Sequence, residues 1–264
     1  MEIKSVTIIG QGNVATHYCR VMNTKGLDAK TVSSRLPFKT EDLQCDLLVI
    51  AVKDEAIQTV ADKLSESLKS TKTLHPLTVH TSGFISCNCL KKVSENYGSL
   101  YPLQTLKKDI ETNFDSVPLC TWANNKESAL ILRNLAKKLS KIHYELDDNQ
   151  RKTLHLAAVF ANNFPNHLFG IAKRILDREN VPFDILFPLM DRTVAAAKQN
   201  NPFSIQTGPA FRDEKSVMEQ HKLRLTERER CIYEIISNSI MQERNLANNT
   251  LVYTEENNNN KTTK

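Results

Sequence analysis

Over the first 146 residues, short runs of β-branched and other apolar residues alternate with stretches of helical period. Residues 6–9 form an apolar-rich run that breaks at Gly10, and a second short strand is predicted over 29–33. Residues 47–52 are continuously apolar between Asp46 and Lys53, the pattern of a strand buried on both faces of a parallel sheet. Ile57, Val60, Ala61, Leu64 and Leu68 then recur with a helical period over 55–68, and residues 77–81 read as the next strand. Further strands are predicted at 98–101, 118–122 and 143–146, with a helix over 126–139 between the last two. Strands alternating with helices predict an α/β fold, a doubly wound Rossmann-type parallel sheet over residues 1–146.

The pattern changes at Asp147-Asp148-Asn149-Gln150, where acidic and amide side chains can cap a new helix. From 150 to 173 the apolar positions Leu154, Ala157, Ala158, Ala161, Leu168, Ile171 and Ala172 predict a long helix that Pro165 kinks or interrupts. Helices are also predicted over 184–199 and 213–225. Thr226-Glu227-Arg228-Glu229 reads as a capping box opening a last helix through Ile232, Ile235, Ile236 and Ile240. Residues 147–254 are thus expected to form an all-α substrate and dimerisation domain. Residues 255–264, rich in Asn and Lys, carry too little apolar surface to fold and are expected to be a disordered tail.

With 264 residues, 40% apolar and 25% charged, the chain has the composition of a globular protein of about two domains. The net charge of +5 comes from basic residues scattered among 30 acids, without the basic stripe and interleaved aromatics of a nucleic-acid surface. An anionic small ligand fits that balance, and no nucleic-acid partner is expected. The 6 cysteines lack a framework spacing, and the chain opens on a strand rather than a signal peptide, so reduced thiols in the cytoplasm are expected. No apolar stretch approaches membrane-spanning length. A zinc site from His75, His80, Cys87 and Cys89 is disfavoured, because one residue separates the two cysteines where two to four are usual.

The chemistry is concentrated at Gly10-Gln11-Gly12-Asn13-Val14-Ala15, which follows a strand and reads G-x-G-x-x-A. In a dinucleotide site the first glycine permits a tight turn, the second lets the backbone approach a pyrophosphate, and the alanine allows close helix–strand packing. The anion then rests on free N–H groups at the helix N-terminus. After the second strand come Ser33, Ser34 and Arg35, with no Asp or Glu from 31 to 40. An NAD site places a carboxylate there for the ribose 2′-hydroxyl, whereas Arg with hydroxyl donors suits a 2′-phosphate, so NADP is the expected cofactor. In doubly wound folds ligands lie at the carboxyl ends of the strands, which puts Ala51-Val52-Lys53 and the Thr81-Ser82-Gly83 turn, with Ser82 as its contact, beside the ribose and nicotinamide.

These segments, together with His80-Thr81-Ser82-Gly83, Tyr101-Pro102-Leu103-Gln104-Thr105, His155 with Asn162-Asn163-Phe164, and 207–213 followed by His221, resemble a known family. It is the two-domain, Rossmann-like NADP oxidoreductase family whose C-terminal helical domain has no assigned function. The N-terminal half is also similar to deazaflavin-dependent NADP oxidoreductases and pyrroline-carboxylate reductases. The resemblance implies a fold and a cofactor class without a substrate. Tyr101-Pro102 departs from the His-Pro that related reductases often carry. His155 and Asn162, seven residues apart, share a helical face with Asn163 beside them, and such a set can orient a carbonyl and exchange a proton. Arg212, after the Thr207-Gly208-Pro209 turn, can bind a carboxylate or phosphate bidentately. His155, Asn162, Asn163 and Arg212 are therefore the expected substrate contacts of an NADP(H)-dependent reductase of a small anionic carbonyl or imine compound, working in a cleft between the two domains. The alternative is a non-catalytic NADP-sensing module whose helical domain engages a partner. Wide apolar faces around 154–171 and 232–240 predict a homodimer through the helical domain.

Overall fold

The computed structural model describes residues 2–35, 37–69 and 76–259, with side chains to 246. By its contacts the chain divides into two compact units, Met1–Asn163 and Phe164–Lys264. The first is built from β1 (Ser5–Ile9), α1 (Asn13–Thr24), β2 (Asp28–Val32), α2 (Thr40–Leu43), β3 (Leu47–Ile50), α3 (Asp54–Lys69), β4 (Leu77–His80), β5 (Tyr97–Pro102), β6 (Leu119–Ala123), α4 (Lys126–Leu139), β7 (His143–Glu145) and α5 (Asp148–Ala158). The strands form one sheet in the order β2-β1-β3-β4-β5-β6-β7.

The run of four consecutive apolar residues in β3 has a simple geometric cause. Successive side chains point to opposite faces, and both faces are covered. Leu47 and Val49 join a core with Ala15, Tyr18 and Met22 of α1 and Leu132, Leu135 and Leu139 of α4. Leu48 and Ile50 join a second core with Ile57, Val60, Leu64 and Leu68 of α3. A buried Tyr18 hydroxyl donates to the Leu100 carbonyl at 3.0 Å, so that its polar atom is not left unpaired in the first core.

The expected doubly wound, Rossmann-type sheet is present, with its last two strands, β6 and β7, reversed. The sheet is parallel throughout except between β5 and β6, which run antiparallel with Leu100 opposite Thr121. A parallel return needs a crossover that packs over the sheet, usually a helix. The connection over 103–118 contains only a short 3-10 turn at Phe114–Ser116, so β6 comes back alongside β5 in the opposite sense. α4 then supplies a crossover, and β7 is parallel to β6.

The helix expected over 150–173 forms, preceded by a capping box between Asp147 and Gln150. Its interruption is a widened π turn at Val159–Asn163, after which α6 runs over Phe164–Asp177. Pro165 has no N–H to give to a carbonyl one turn back, and a wider turn just ahead of it accommodates the missing bond. α5 packs within the first unit, so the contact boundary falls after Asn163, whereas the sequence pattern changes at 146.

The second unit continues from α6 with α7 (Phe187–Gln199), α8 (Pro209–Arg212), α9 (Lys215–Leu223) and α10 (Glu227–Asn259). The capping box that opens α10 is present: Thr226 N–H donates to Glu229 Oε2 at 3.0 Å, and Glu229 N–H donates to Thr226 Oγ1 at 3.4 Å. The backbone of α10 is helical to Asn259, past the Glu255 at which an unfolded tail was expected, and 260–264 lie outside the described residues. Among the described residues no helix is long and apolar enough to cross a membrane.

Candidate functional site

At the end of β1 the chain turns through Gly10, whose φ of +136° is reserved for glycine. A Cβ at this position would lie 2.2 Å from the Ala51 carbonyl oxygen. The turn is fixed by Gly10 N–H donating to Val32 O at 2.8 Å. Gly12 is different: its φ of −83° suits any residue, and no atom lies within 4 Å of where its Cβ would be. It is the N-cap of α1, with no side-chain cap and no acidic residue in the first turn, so the leading N–H groups of α1 are left for an anion.

These N–H groups face a cleft of about 1300 Å³ at the carboxyl ends of β1 to β4. Gly10, Gln11, Gly12, Asn13 and Val14 line one part of it, Ser33, Ser34 and Arg35 another, and Ala51, Val52, Lys53 and Thr81 a third. Eleven of the twelve residues expected at the cofactor are thereby brought together. Ser82 is the exception, and its neighbour Thr81 takes its place. The Ser82 hydroxyl accepts from the N–H groups of Phe84 and Ile85, both at 3.0 Å, its own N–H donates to His80 Nδ1, and its carbonyl accepts from Arg151, so Ser82 is committed to holding its turn. Arg35 is exposed and, among the described residues, has no ion-pair partner. Sequence reasoning missed Glu55, Ala56, Thr59, Val60 and Lys63, which line the far wall from α3; their i, i+4 spacing was the available signal.

A second group gathers on α5, the π turn and the segment leaving β5. His155 Nδ1 lies 3.2 Å from the Tyr101 hydroxyl, and Asn162 Nδ2 donates to Thr105 Oγ1 at 2.8 Å. His155 and Asn162 thus reach the same short stretch, although the π turn between them breaks the regular face that the seven-residue spacing assumed. Asn163 is exposed beside them. That stretch also touches the α1 terminus, where Lys108 N–H donates to Asn13 Oδ1 at 3.1 Å.

Arg151, one turn before His155, is fully buried and was not foreseen. It donates to the carbonyls of Ser82 at 3.1 Å and Ile85 at 2.5 Å and to Ser99 Oγ at 3.1 Å, and it pairs with Asp148 at 2.9 Å. Asp148 in turn accepts from Ser86 Oγ and, at 3.0 Å, from Cys87 N–H. Burial works to raise the Asp148 carboxyl, but these hydrogen bonds and the Arg151 charge hold it below the ordinary carboxylate range. His80, beneath them, is pushed down to about 3 by burial and by the Arg151 charge, and is neutral.

Arg212 lies in the second unit and is exposed. Its guanidinium makes a bidentate pair with Glu214, at 2.8 and 3.0 Å. His221, in the same unit, meets the Tyr233 hydroxyl at 3.1 Å. Of the four residues of the disfavoured zinc reading, His75 lies outside the described residues. Among the described residues no three His, Cys, Asp or Glu groups are placed to share a metal.

Residues 117–240 match a family model described as a domain of unknown function, DUF2520. A crystal structure of a candidate NADP oxidoreductase from Bacteroides fragilis is 30% identical, covers 91% of this chain and 98% of its own, and superposes with a TM-score of 0.82. The chain belongs to the same family as this Bacteroides fragilis protein. A Thermotoga maritima protein at 19% identity, TM-score 0.63, shares the fold over 92% of this chain and 99% of its own. So does a Plasmodium falciparum pyrroline carboxylate reductase with NADP bound, at 12% identity and TM-score 0.50, over 92% and 98%. No protein of curated function matches the chain in sequence. The match to the Bacteroides protein extends over 91% of the chain, while the DUF2520 match is confined to 117–240.

Proposed function

We propose that the protein is an NADP(H)-dependent oxidoreductase that reduces a small carbonyl or imine compound bearing an anionic group. The observation that carries this reading is the single cleft that combines the uncapped N-terminus of α1 with Ser33, Ser34 and an Arg35 that has no carboxylate partner among the described residues. A pyrophosphate fits the first feature, because a backbone without Cβ at Gly12 leaves open space in front of the N–H groups. A 2′-phosphate fits the second, since guanidinium and hydroxyl groups all donate. When bound, the nicotinamide supplies hydride transfer, and the protein's part is to bind, orient and exclude water.

On the substrate side the reading assigns His155 and Asn162, with Asn163 beside them, as donors to the compound being reduced. Arg212 is available to an anion only in exchange for Glu214. The family relationship, and the names that its relatives carry, support an oxidoreductase over a sensing module. The unpaired state of Cys19, Cys45, Cys87, Cys89, Cys120 and Cys231 supports a reducing, cytoplasmic setting. The homodimer is also retained, on the exposed apolar surface of the helical unit.

The test is a paired titration. Gly12→Val should abolish NADPH binding with the melting temperature nearly unchanged, because the branched side chain enters the cleft and no protein atom lies within 4 Å of its Cβ. Gly10→Ala should instead destabilise the fold through its clash with Ala51. NADPH oxidation is then screened with pyruvate, glyoxylate, 1-pyrroline-5-carboxylate and a deazaflavin. Tight NADPH binding without turnover of any of them favours the sensing module, and retained binding in Gly12→Val would remove the cleft from the argument.

A further inference from the structure

We infer that Tyr101 is the positioning residue of the substrate site: its hydroxyl donates to His155 Nδ1 and holds the imidazole as the Nε2–H tautomer, so that His155 presents its Nε2–H to a carbonyl oxygen. This rests on the assignment of His155 to the substrate made above. Tyr101 lies in β5, is buried, and has as its hydrogen-bond partner among the described residues only His155 Nδ1, at 3.2 Å. The two rings meet edge to face, with centroids 6.0 Å apart. Burial pushes the phenol up to about 12, so the hydroxyl keeps its hydrogen at neutral pH. A buried O–H needs an acceptor, and the acceptor within reach is Nδ1. A neutral imidazole whose Nδ1 accepts carries its proton on Nε2. Among the described residues no hydrogen bond reaches His155 Nε2, so this N–H is left to donate elsewhere.

Two features of the surroundings are built around the pair. A Cβ at residue 83 would lie 2.6 Å from His155 Nδ1 and 2.9 Å from Tyr101 Cζ. Gly83 is absent from the glycines with positive φ, so its lack of a side chain serves this close approach rather than a special backbone conformation. Arg151, four residues before His155 on α5, grips the carbonyls of Ser82 and Ile85 on either side of Gly83. The helix is therefore clamped to the very turn against which the imidazole rests, and residue 83 is small enough to let the tyrosine reach it. The histidine comes from α5, and the tyrosine of β5 fixes which of its nitrogens is free.

Selective 15N labelling of histidine in the full chain reads the tautomer directly. The unmutated protein at neutral pH should give the Nε2–H pattern for His155, with Nδ1 shifted as a hydrogen-bond acceptor. Tyr101→Phe should move Nδ1 toward an unbonded nitrogen and admit the other tautomer, while NADPH affinity stays within about twofold because the pyrophosphate turn is untouched. Gly83→Ala, checked by its melting curve, should produce the same change in the His155 signal with the tyrosine intact. With pyruvate as probe, Tyr101→Phe should lower kcat about tenfold, the size of one lost hydrogen bond, with KM within about threefold. An Nδ1–H or doubly protonated ring in the unmutated protein, or a His155 signal unaffected by Tyr101→Phe, overturns the inference. If the unmutated protein turns over no probe, the proposed function fails, and the imidazole signal still decides the role of Tyr101.

Discussion

Leu132 and Leu189 are the same residue on helices of nearly the same length, α4 with 14 residues and α7 with 13, yet Leu132 is 0% exposed and Leu189 is 63% exposed. The contrast holds for the units around them. In the first, both faces of the sheet are covered and side chains such as Ile8, Leu48, Val49 and Leu64 are wholly buried. In the second, the buried apolar residues among those described are Ile171, Ala210 and Met218, while Ile185, Phe203, Leu223 and Ile235 stand 65% or more exposed. Both units carry the apolar periodicity of core helices. A periodic stripe therefore announces that a helix will be covered and leaves open by what. In the first unit the cover is the sheet of the same chain. In the second, the homodimer proposed above would supply the cover, since exposed apolar patches of this kind are rare in monomers.

The sharpest way to break this comparison is to cut one leucine from each side of it. Leu132→Ala should cost about 2–5 kcal/mol at every protein concentration, the cost of a buried leucine and the cavity it leaves. Leu189→Asp combined with Ile235→Asp should leave the monomer's internal contacts nearly unchanged and shift light scattering from about twice the 30.0 kDa chain mass to once. The melting temperature of the unmutated protein should rise with concentration, and that of the double variant should not. A unimolecular melt in the unmutated chain would mean that the exposed stripes have no second copy on them.

The same contrast explains what could be read from the sequence. Strand and helix positions in the first unit follow from patterns that the chain resolves internally: the continuous run of β3, the helical period of α3, the Asp147–Gln150 cap. The glycine turn and Ser33–Arg35 were legible because local backbone geometry dictates them. What was not legible depends on contacts distant in sequence. The reversal of β6 turns on a connection without a crossover helix. Arg151 reads as an ordinary helix-surface charge until Ser82, Ile85 and Ser99 close around it. Ser82 was expected at the cofactor because it follows a strand end, but its hydroxyl and N–H are engaged within the 80–85 turn and its carbonyl accepts from Arg151. Gly83 was read only as part of the His80–Gly83 segment, and its meaning is the approach of two side chains from 101 and 155.

A smaller effect tests whether nucleotide chemistry belongs to the first unit alone. Every residue lining the cleft lies before Asn163. Arg35→Asp should weaken NADPH by about 1.5–3 kcal/mol, roughly ten- to a hundredfold, and leave NADH level with it or ahead. A chain ended after Asn163 should keep the unmutated preference for NADPH, whereas one ended after Leu146 loses Arg151 and its grip on the Ser82 turn. Equal NADPH and NADH dissociation constants in the unmutated protein would sink the 2′-phosphate assignment.

The mildest test separates the two units by pH. His80 is held near 3 when folded, by burial first and the Arg151 charge second, against 6.5 in its ordinary state. Between those values the unfolded chain binds a proton that the folded chain refuses, so the stability of the first unit is complete above about 6.5 and declines as pH falls, at no more than about 1.4 kcal/mol per pH unit. Glu229, in the second unit, is held near 2 by the hydrogen bond from Arg178 and the N–H of Thr226, against 4.5 ordinarily. Its contribution is intact above about 4.5 and is lost as pH falls toward 2. The first unit should therefore weaken at a higher pH than the second. Trp122, the 1 tryptophan of the chain, sits on β6 with its ring 6.3 Å from that of Tyr97 and reports the first unit by fluorescence. Its denaturation midpoint should begin to fall below about pH 6.5, while dimer mass by light scattering should hold until about pH 4.5. His80→Asn, which keeps an acceptor for the Ser82 N–H, should flatten the upper part of the fluorescence decline, and Glu229→Gln should flatten only the lower loss of mass. Coincident transitions in the unmutated protein would show that the two units do not differ as their burial implies.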